Sequence, residues 1–302
     1  MKFKGYLNYH VRVFTIMSFY FSYKTLSSLN TIKIFRRFQR LLIPYIIWPI
    51  IVYFLNKNVI SKYIEVKIYT FEQVKQQLLV GNAIIHPFWY TWNLIFITIL
   101  FILIIFLFRN CHKFIFILLS ITAYIYQYNG KNMRYFSRFK KNADMFTYGR
   151  VLELIPCSVT GFIIGSYDLM NYFKKFKIRT ILVCIYFFYF LKNYNLFVSN
   201  FGFSYAGLKD YLDSNCIFFL FAMFPSDKIK NKIIIKVIKL ITGHTAGVYY
   251  LHVVIYKYLT PFFISIQNKT LTGSIIIYLG CYLVCFIGNL IFGKTILRYL
   301  FE

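Results

Sequence analysis

Acidic residues are scarce in this chain: nine Asp and Glu stand against 35 Lys and Arg in 302 residues, and charged residues of both signs make up only 15%. Soluble domains carry about a quarter charged residues. That shortage, with 59% apolar residues and a mean hydropathy of +0.59, argues against a soluble globule. Patterns that mark common chemistries are missing too. The six cysteines (Cys111, Cys157, Cys184, Cys216, Cys281 and Cys285) form no C-x-x-C pair and mostly sit in apolar windows. They read as small buried hydrophobes, with no zinc framework, disulfide scaffold or other metal site. The absence of H-E-x-x-H, D-x-D, G-x-S-x-G and P-loop patterns argues against a metalloprotease, a nucleotide-sugar glycosyltransferase, a serine hydrolase and an ATPase. No internal repeat or low-complexity tract breaks the chain. The basic, aromatic start from Met1 to Arg12 lacks a small-residue cleavage pattern, so it does not read as a signal peptide.

What is present in quantity is uninterrupted apolar sequence. Pro87 to Phe108 and Thr270 to Gly293 each run more than twenty residues without an acid or base. As helices they would be roughly 33 to 36 Å long, enough to cross a bilayer core of about 30 Å. Lipid offers the backbone no hydrogen-bond partners, and the alternating pattern of barrel strands is absent, so an all-α, polytopic transmembrane helix bundle is expected. Reading between charges gives about nine spans: Val13 to Tyr23, Leu41 to Asn56, Pro87 to Phe108, Phe114 to Tyr128, Val151 to Tyr167, Thr180 to Leu191, Ser214 to Pro225, Leu240 to Tyr256 and Thr270 to Gly293. The connections Lys57 to His86, Asn129 to Arg150 and Lys192 to Asp213 read as loops, so residues 1–302 are expected to form a single membrane domain.

The net charge of +26 falls in short runs between these windows, as on the flanks of membrane helices. It implies membrane lipid as a partner and not nucleic acid. Lys and Arg are nearly twice as dense in the connections that follow odd-numbered spans as in the opposite set, which puts the former on the cytosolic side. Under that assignment the chain starts outside, Arg37 and Arg40 lie at the cytosolic mouth of the second span, and His86 lies at the outer end of the third.

Arg37 and Arg40, in the stretch Phe35-Arg36-Arg37-Phe38-Gln39-Arg40-Leu41-Leu42-Ile43-Pro44-Tyr45, are three residues apart and share one helix face. Two guanidiniums so placed can grip a phosphate-bearing donor, or simply anchor a helix end in the cytosol. Pro44, at the start of the apolar run, reads as a helix opening. This stretch resembles the R-x-x-R followed by proline of the acyltransferase 3 family, integral membrane enzymes that O-acylate surface polysaccharides and related molecules. Further segments are similar to the family's in the same order. Val11-Arg12-Val13-Phe14-Thr15-Ile16-Met17-Ser18-Phe19-Tyr20 looks like V-P-x-F-x-x-S-G-Y with one residue more between Phe14 and Ser18 and with Arg12 and Phe19 in place of proline and glycine. His86-Pro87-Phe88-Trp89-Tyr90 looks like the family's H-L-W-F-L entry into a long helix. Glu153-Leu154-Ile155-Pro156 with Gly161 and Gly165 fits the middle, and Gly247-Val248-Tyr249-Tyr250-Leu251-His252 matches G-I-Y-L-x-H.

The resemblance implies transfer of an acyl group, by expectation acetyl, from acyl-CoA as co-substrate to a carbohydrate or glycan hydroxyl. It also implies that Arg37 and Arg40 bind the donor. The family usually opens with one more helix carrying a histidine linked to transfer, and nothing before Val11 can be that helix. Transfer to a hydroxyl needs a base for its proton and donors for the oxyanion. Histidine suits the first role. His86, beside Trp89 and Trp92, and His252, inside an apolar run, are the catalytic candidates, each set against a bland reading as an interfacial or a satisfied core histidine. His10 adjoins a matched segment, and His112 reads as a cytosolic flank. Glu153 is a pathway residue or an ion-pair partner of Arg150. An inactive relative of the family, and a transporter or flippase of glycan or lipid, are the alternative readings.

Overall fold

A computed structural model describes residues 10–58, 70–81, 88–132, 143–186, 189, 206–222, 231–232, 235–236, 244–259 and 271–301. Among the described residues there is no strand, and the chain is all-α. The helices are α1 (His10–Ser27), α2 (Thr31–Asn58), α3 (Phe71–Val80), α4 (Phe88–Leu107), α5 (His112–Asn132), α6 (Ala143–Ser166), α7 (Leu169–Lys175), α8 (Ala206–Ala222), α9 (Thr245–Leu259) and α10 (Leu271–Phe292), followed by a 3-10 turn at Ile296–Leu300. Residues 177–186 are helical as well.

By length and composition, Thr31–Leu55, Phe88–Leu107 and Thr272–Phe292 can cross a membrane, and a fourth span arises if Val151–Ser166 and Leu169–Lys175, bent by 72°, count as one. The nine expected spans are therefore not confirmed: the remaining apolar helices among the described residues are shorter. Helices also overrun the expected boundaries. α5 continues to Asn132, α6 starts at Ala143, and α8 starts at Ala206. Lys, Arg, Asn and Tyr are tolerated in helix ends, where long side chains reach toward water, so charges do not mark helix termini.

Two further corrections concern α2 and α3. Pro44 does not open a helix. Asn30 does: its Oδ1 accepts from Lys33 N at 3.0 Å, and α2 runs on through Pro44 and Pro49. The connection from Lys57 to His86 is not all loop either, because it contains α3. Thr70 and Gln73 form a capping box, with Gln73 N donating to Thr70 Oγ1 at 3.3 Å and Thr70 N donating to Gln73 Oε1 at 3.0 Å. Gly81 ends the helix in the left-handed region at φ 73°, its N–H donating to Gln77 O at 2.7 Å.

The chain divides into two compact units, Met1–Ile34 with Phe96–Ser226 and Phe35–Ile95 with Asp227–Glu302. In the first unit α1 packs on α6 at backbone distance. A Cβ on Gly161 would overlap the Ile16 carbonyl, and one on Gly165 would overlap the Tyr23 ring. The two glycines of the sequence motif therefore let two helices touch, an arrangement frequent in lipid. Beside them Phe19, Phe101, Phe116 and Phe162 interlock, with ring centroids 4.7 Å apart for Phe19–Phe101, 4.2 Å for Phe101–Phe116 and 5.0 Å for Phe116–Phe162. Thr15, Ser158 and Thr160 hydroxyls donate to the carbonyls four residues back at 2.8 to 2.9 Å, and the Thr160 hydroxyl also meets that of Tyr211 on α8.

The second unit has a core of Tyr45, Trp48 and Val52 from α2, Val74 from α3, Phe88 from α4, Tyr250, Leu251 and Val254 from α9, Cys281 and Cys285 from α10, and Leu300 and Phe301 beyond it. Gly247 is required by packing, since a Cβ there would lie 2.7 Å from Cys285 Sγ and 2.8 Å from the Phe301 carbonyl oxygen. Phe301 is held further by buried His244, whose Nδ1–H donates to its carbonyl at 2.9 Å, and Trp48 Nε1 donates to Leu300 O at 3.3 Å. The Tyr45 hydroxyl, near the midpoint of α2, meets the carbonyls of Gln77 and Leu78 at 2.9 and 2.8 Å. The C-terminal end of α3 is thus fixed halfway along α2.

Candidate functional site

Three helices of the second unit bring the chemistry-bearing residues together. α2 supplies Arg37 and Arg40, α4 supplies Tyr90 and Thr91 in its opening turn, and α9 supplies Tyr249, Tyr250 and His252. Phe88 anchors that turn: its ring stacks on Tyr250 with centroids 5.1 Å apart and meets Tyr45 edge-on at 6.0 Å. Thr91 Oγ1 donates to the Tyr250 hydroxyl at 3.4 Å, with both residues buried. Tyr90 meets Tyr249 edge-on at 5.6 Å, and Tyr249 lies 5.7 Å from the ring of His252. On the other side, the guanidinium of half-buried Arg37 is within electrostatic reach of Tyr90. Ring contacts thus run from Tyr90 through Tyr249 to His252, and Arg37 acts electrostatically on the first of them.

His252 is half-buried, and its Nδ1 contacts the Tyr249 carbonyl at 2.5 Å. A carbonyl only accepts, so a hydrogen sits on Nδ1, and the neutral form of the ring has its lone pair on Nε2. That is the tautomer a general base requires. Arg40, exposed, sits with its guanidinium 6.0 Å above the ring of buried Tyr299, and Arg298 lies 4.9 Å from the same ring and donates to its hydroxyl at 3.2 Å. Sequence reasoning missed Arg298 and Tyr299. They stand more than 250 residues from Arg40, and nothing in their local spacing marks them.

The remaining expectations divide. His86 lies outside the described residues. The side chain of His10 does too, as do residues 1–9, on which the expectation of an absent first helix falls. His112 opens α5, its Nδ1–H donating to Arg109 O at 2.8 Å, and its ring packs edge-on against Phe116 and Phe162 at 5.9 and 6.1 Å. Glu153 pairs with Arg12 at 3.8 Å, so its described ion-pair partner is the residue that replaces the family's proline. The opening turn of α4 stands beside the first half of α2, Phe88 against Tyr45 and Tyr90 near Arg37.

Among the described residues no group of three or more His, Cys, Asp and Glu side chains could hold a metal ion. The cluster's means are cationic and hydroxylic: two arginines for an anion, a histidine for a proton, and tyrosine hydroxyls as donors. A family model described as an acyltransferase domain, acyltransferase 3, matches residues 6–293. No curated protein and no solved structure matches the chain.

Proposed function

Because the chain belongs to the acyltransferase 3 family, and so is a membrane acyltransferase, we propose that it moves an acyl group, acetyl by preference, from acyl-CoA to a hydroxyl of a carbohydrate or glycan. The observation that carries this reading is the convergence of Arg37, Tyr90, Tyr249 and His252 in one unit. Arg37 and Arg40 hold the phosphates of the donor, for which a planar guanidinium is suited by its paired N–H groups. The transfer is an acyl substitution. The acceptor oxygen attacks the thioester carbonyl and an O–C bond forms; the C–S bond breaks and CoA leaves as the thiol. The hydroxyl proton passes to Nε2 of His252 and is returned to the sulfur, so charge and protons balance. His86, two residues before α4, is the other histidine assigned to proton transfer. General-base assistance contributes about 10²–10⁴ in rate.

The test is transfer of labelled acetyl from acetyl-CoA into membrane glycan fractions. Membranes carrying the wild-type chain are expected to incorporate label, and membranes carrying Arg37→Ala with Arg40→Ala, at equal protein level, are not. His252→Ala should retain donor binding and lose at least a hundredfold in rate. Label in the arginine variant equal to wild type would overturn the assignment of Arg37 and Arg40. No label from wild type with any acyl-CoA would overturn the donor class.

A further inference from the structure

α4 is the most apolar of the described helices, yet it carries Thr91, Asn93 and Thr98, each no more than 1% exposed. Thr91 is partnered by Tyr250. Asn93 is different: it is fully buried, and neither Nδ2 nor Oδ1 has a hydrogen-bond partner. A buried carboxamide left unpaired bears the full desolvation cost of its donor and acceptor, and more so in a hydrocarbon surround. A leucine of similar volume would avoid that cost. An unsatisfied buried amide is therefore a group waiting for a ligand, and its place indicates which. Asn93 lies one helical turn after Trp89 and Tyr90, and so on the same face of α4. Tyr90 is the residue on which Arg37 acts electrostatically and from which ring contacts run to Tyr249 and His252.

We propose that Asn93 is a catalytic residue whose Nδ2–H donates a hydrogen bond to the carbonyl oxygen of the acyl thioester as that oxygen gains negative charge. This inference rests on the acyl-transfer reading above. A thioester carbonyl oxygen is an acceptor for the carboxamide's N–H, a match of donor to acceptor. As the acceptor hydroxyl attacks, the C=O electron pair moves onto oxygen, and Asn93 stabilises it until the C–S bond breaks and the carbonyl re-forms. Nothing is consumed in this step, and the residue ends as it began. In a dry site, a single donor of this kind is worth about 10²–10³ in kcat.

Asn93→Leu separates this role from a structural one. Removing an unsatisfied amide should leave the thermal midpoint in detergent unchanged or raise it, because no native bond is lost. The same substitution should lower kcat with acetyl-CoA by a hundredfold or more while KM for acetyl-CoA changes less than threefold. Asn93→Asp, which exchanges the donor for an acceptor, should lose as much kcat as Asn93→Leu. Full activity in either variant, beside an active wild type, would overturn the inference and leave the acyl-transfer reading standing. A midpoint lowered by several degrees in Asn93→Leu would overturn it as well, by showing that the amide is already bonded within the fold. Wild-type protein inactive with every acyl-CoA would overturn both.

Discussion

The two units spend their polar groups differently. In the first, hydroxyls of Thr15 and Ser158 bond to their own helix, Thr160 also meets Tyr211 of α8, Glu153 meets Arg12, and Gly161 brings α1 and α6 into backbone contact. In the second, tyrosines, arginines and a histidine face one another, and one carboxamide has no partner at all. The first is organised to hold helices together in a medium with no hydrophobic drive between them. The second carries the cationic, hydroxylic and imidazole groups on which the proposed transfer rests. The contrast teaches where to look for loss of fold and where for loss of chemistry.

The comparison can be broken most forcefully at Gly161. In Gly161→Leu the side chain meets backbone and not a mobile side chain, so destabilisation of about 3 kcal/mol or more is expected. A thermal midpoint in detergent close to wild type would show that α1 and α6 are not held at backbone distance. A smaller effect belongs to Tyr45→Phe in the second unit. Its hydroxyl bonds two carbonyls of α3, and losing it should cost about 1–2 kcal/mol. Hydrogen exchange should quicken at residues 74–81 and stay unchanged in α6. Uniform quickening would mean that α3 is not docked locally through Tyr45. Smallest of all is Glu153→Gln. The pair with Arg12 is long and partly exposed, so it contributes under about 1 kcal/mol. Loss of transport or transfer in Glu153→Gln with unchanged stability would return Glu153 to the chemistry and blur the contrast between the units.

Much of this contrast was legible in the sequence. The long apolar windows point to the helical, membrane-crossing class, and the motif glycines 161, 165 and 247 fall where a backbone, an aromatic ring or a sulfur comes too close for a side chain. Arg37, Tyr249 and His252 were legible through motif order. α3 was not, although its signals were present: Thr70 three residues before Gln73, and Gly81 just beyond the last turn. A polar ten-residue helix has no apolar run to announce it. Arg298 and Tyr299 were hidden by sequence distance, since only folding sets them under Arg40. Asn93 was passed over for another reason. A search of apolar runs for charges and histidines does not register a neutral amide, whose cost appears only once burial and missing partners are both known.

The claim on which the rest depends is that the second unit holds the acyl donor through its arginines. Titration of acetyl-CoA into the purified, detergent-solubilised chain by calorimetry addresses it without any acceptor. The account predicts saturable binding to wild type that weakens at least tenfold in Arg37→Ala with Arg40→Ala, a change of about 1.4 kcal/mol or more. Equal affinity in the two proteins would contradict it.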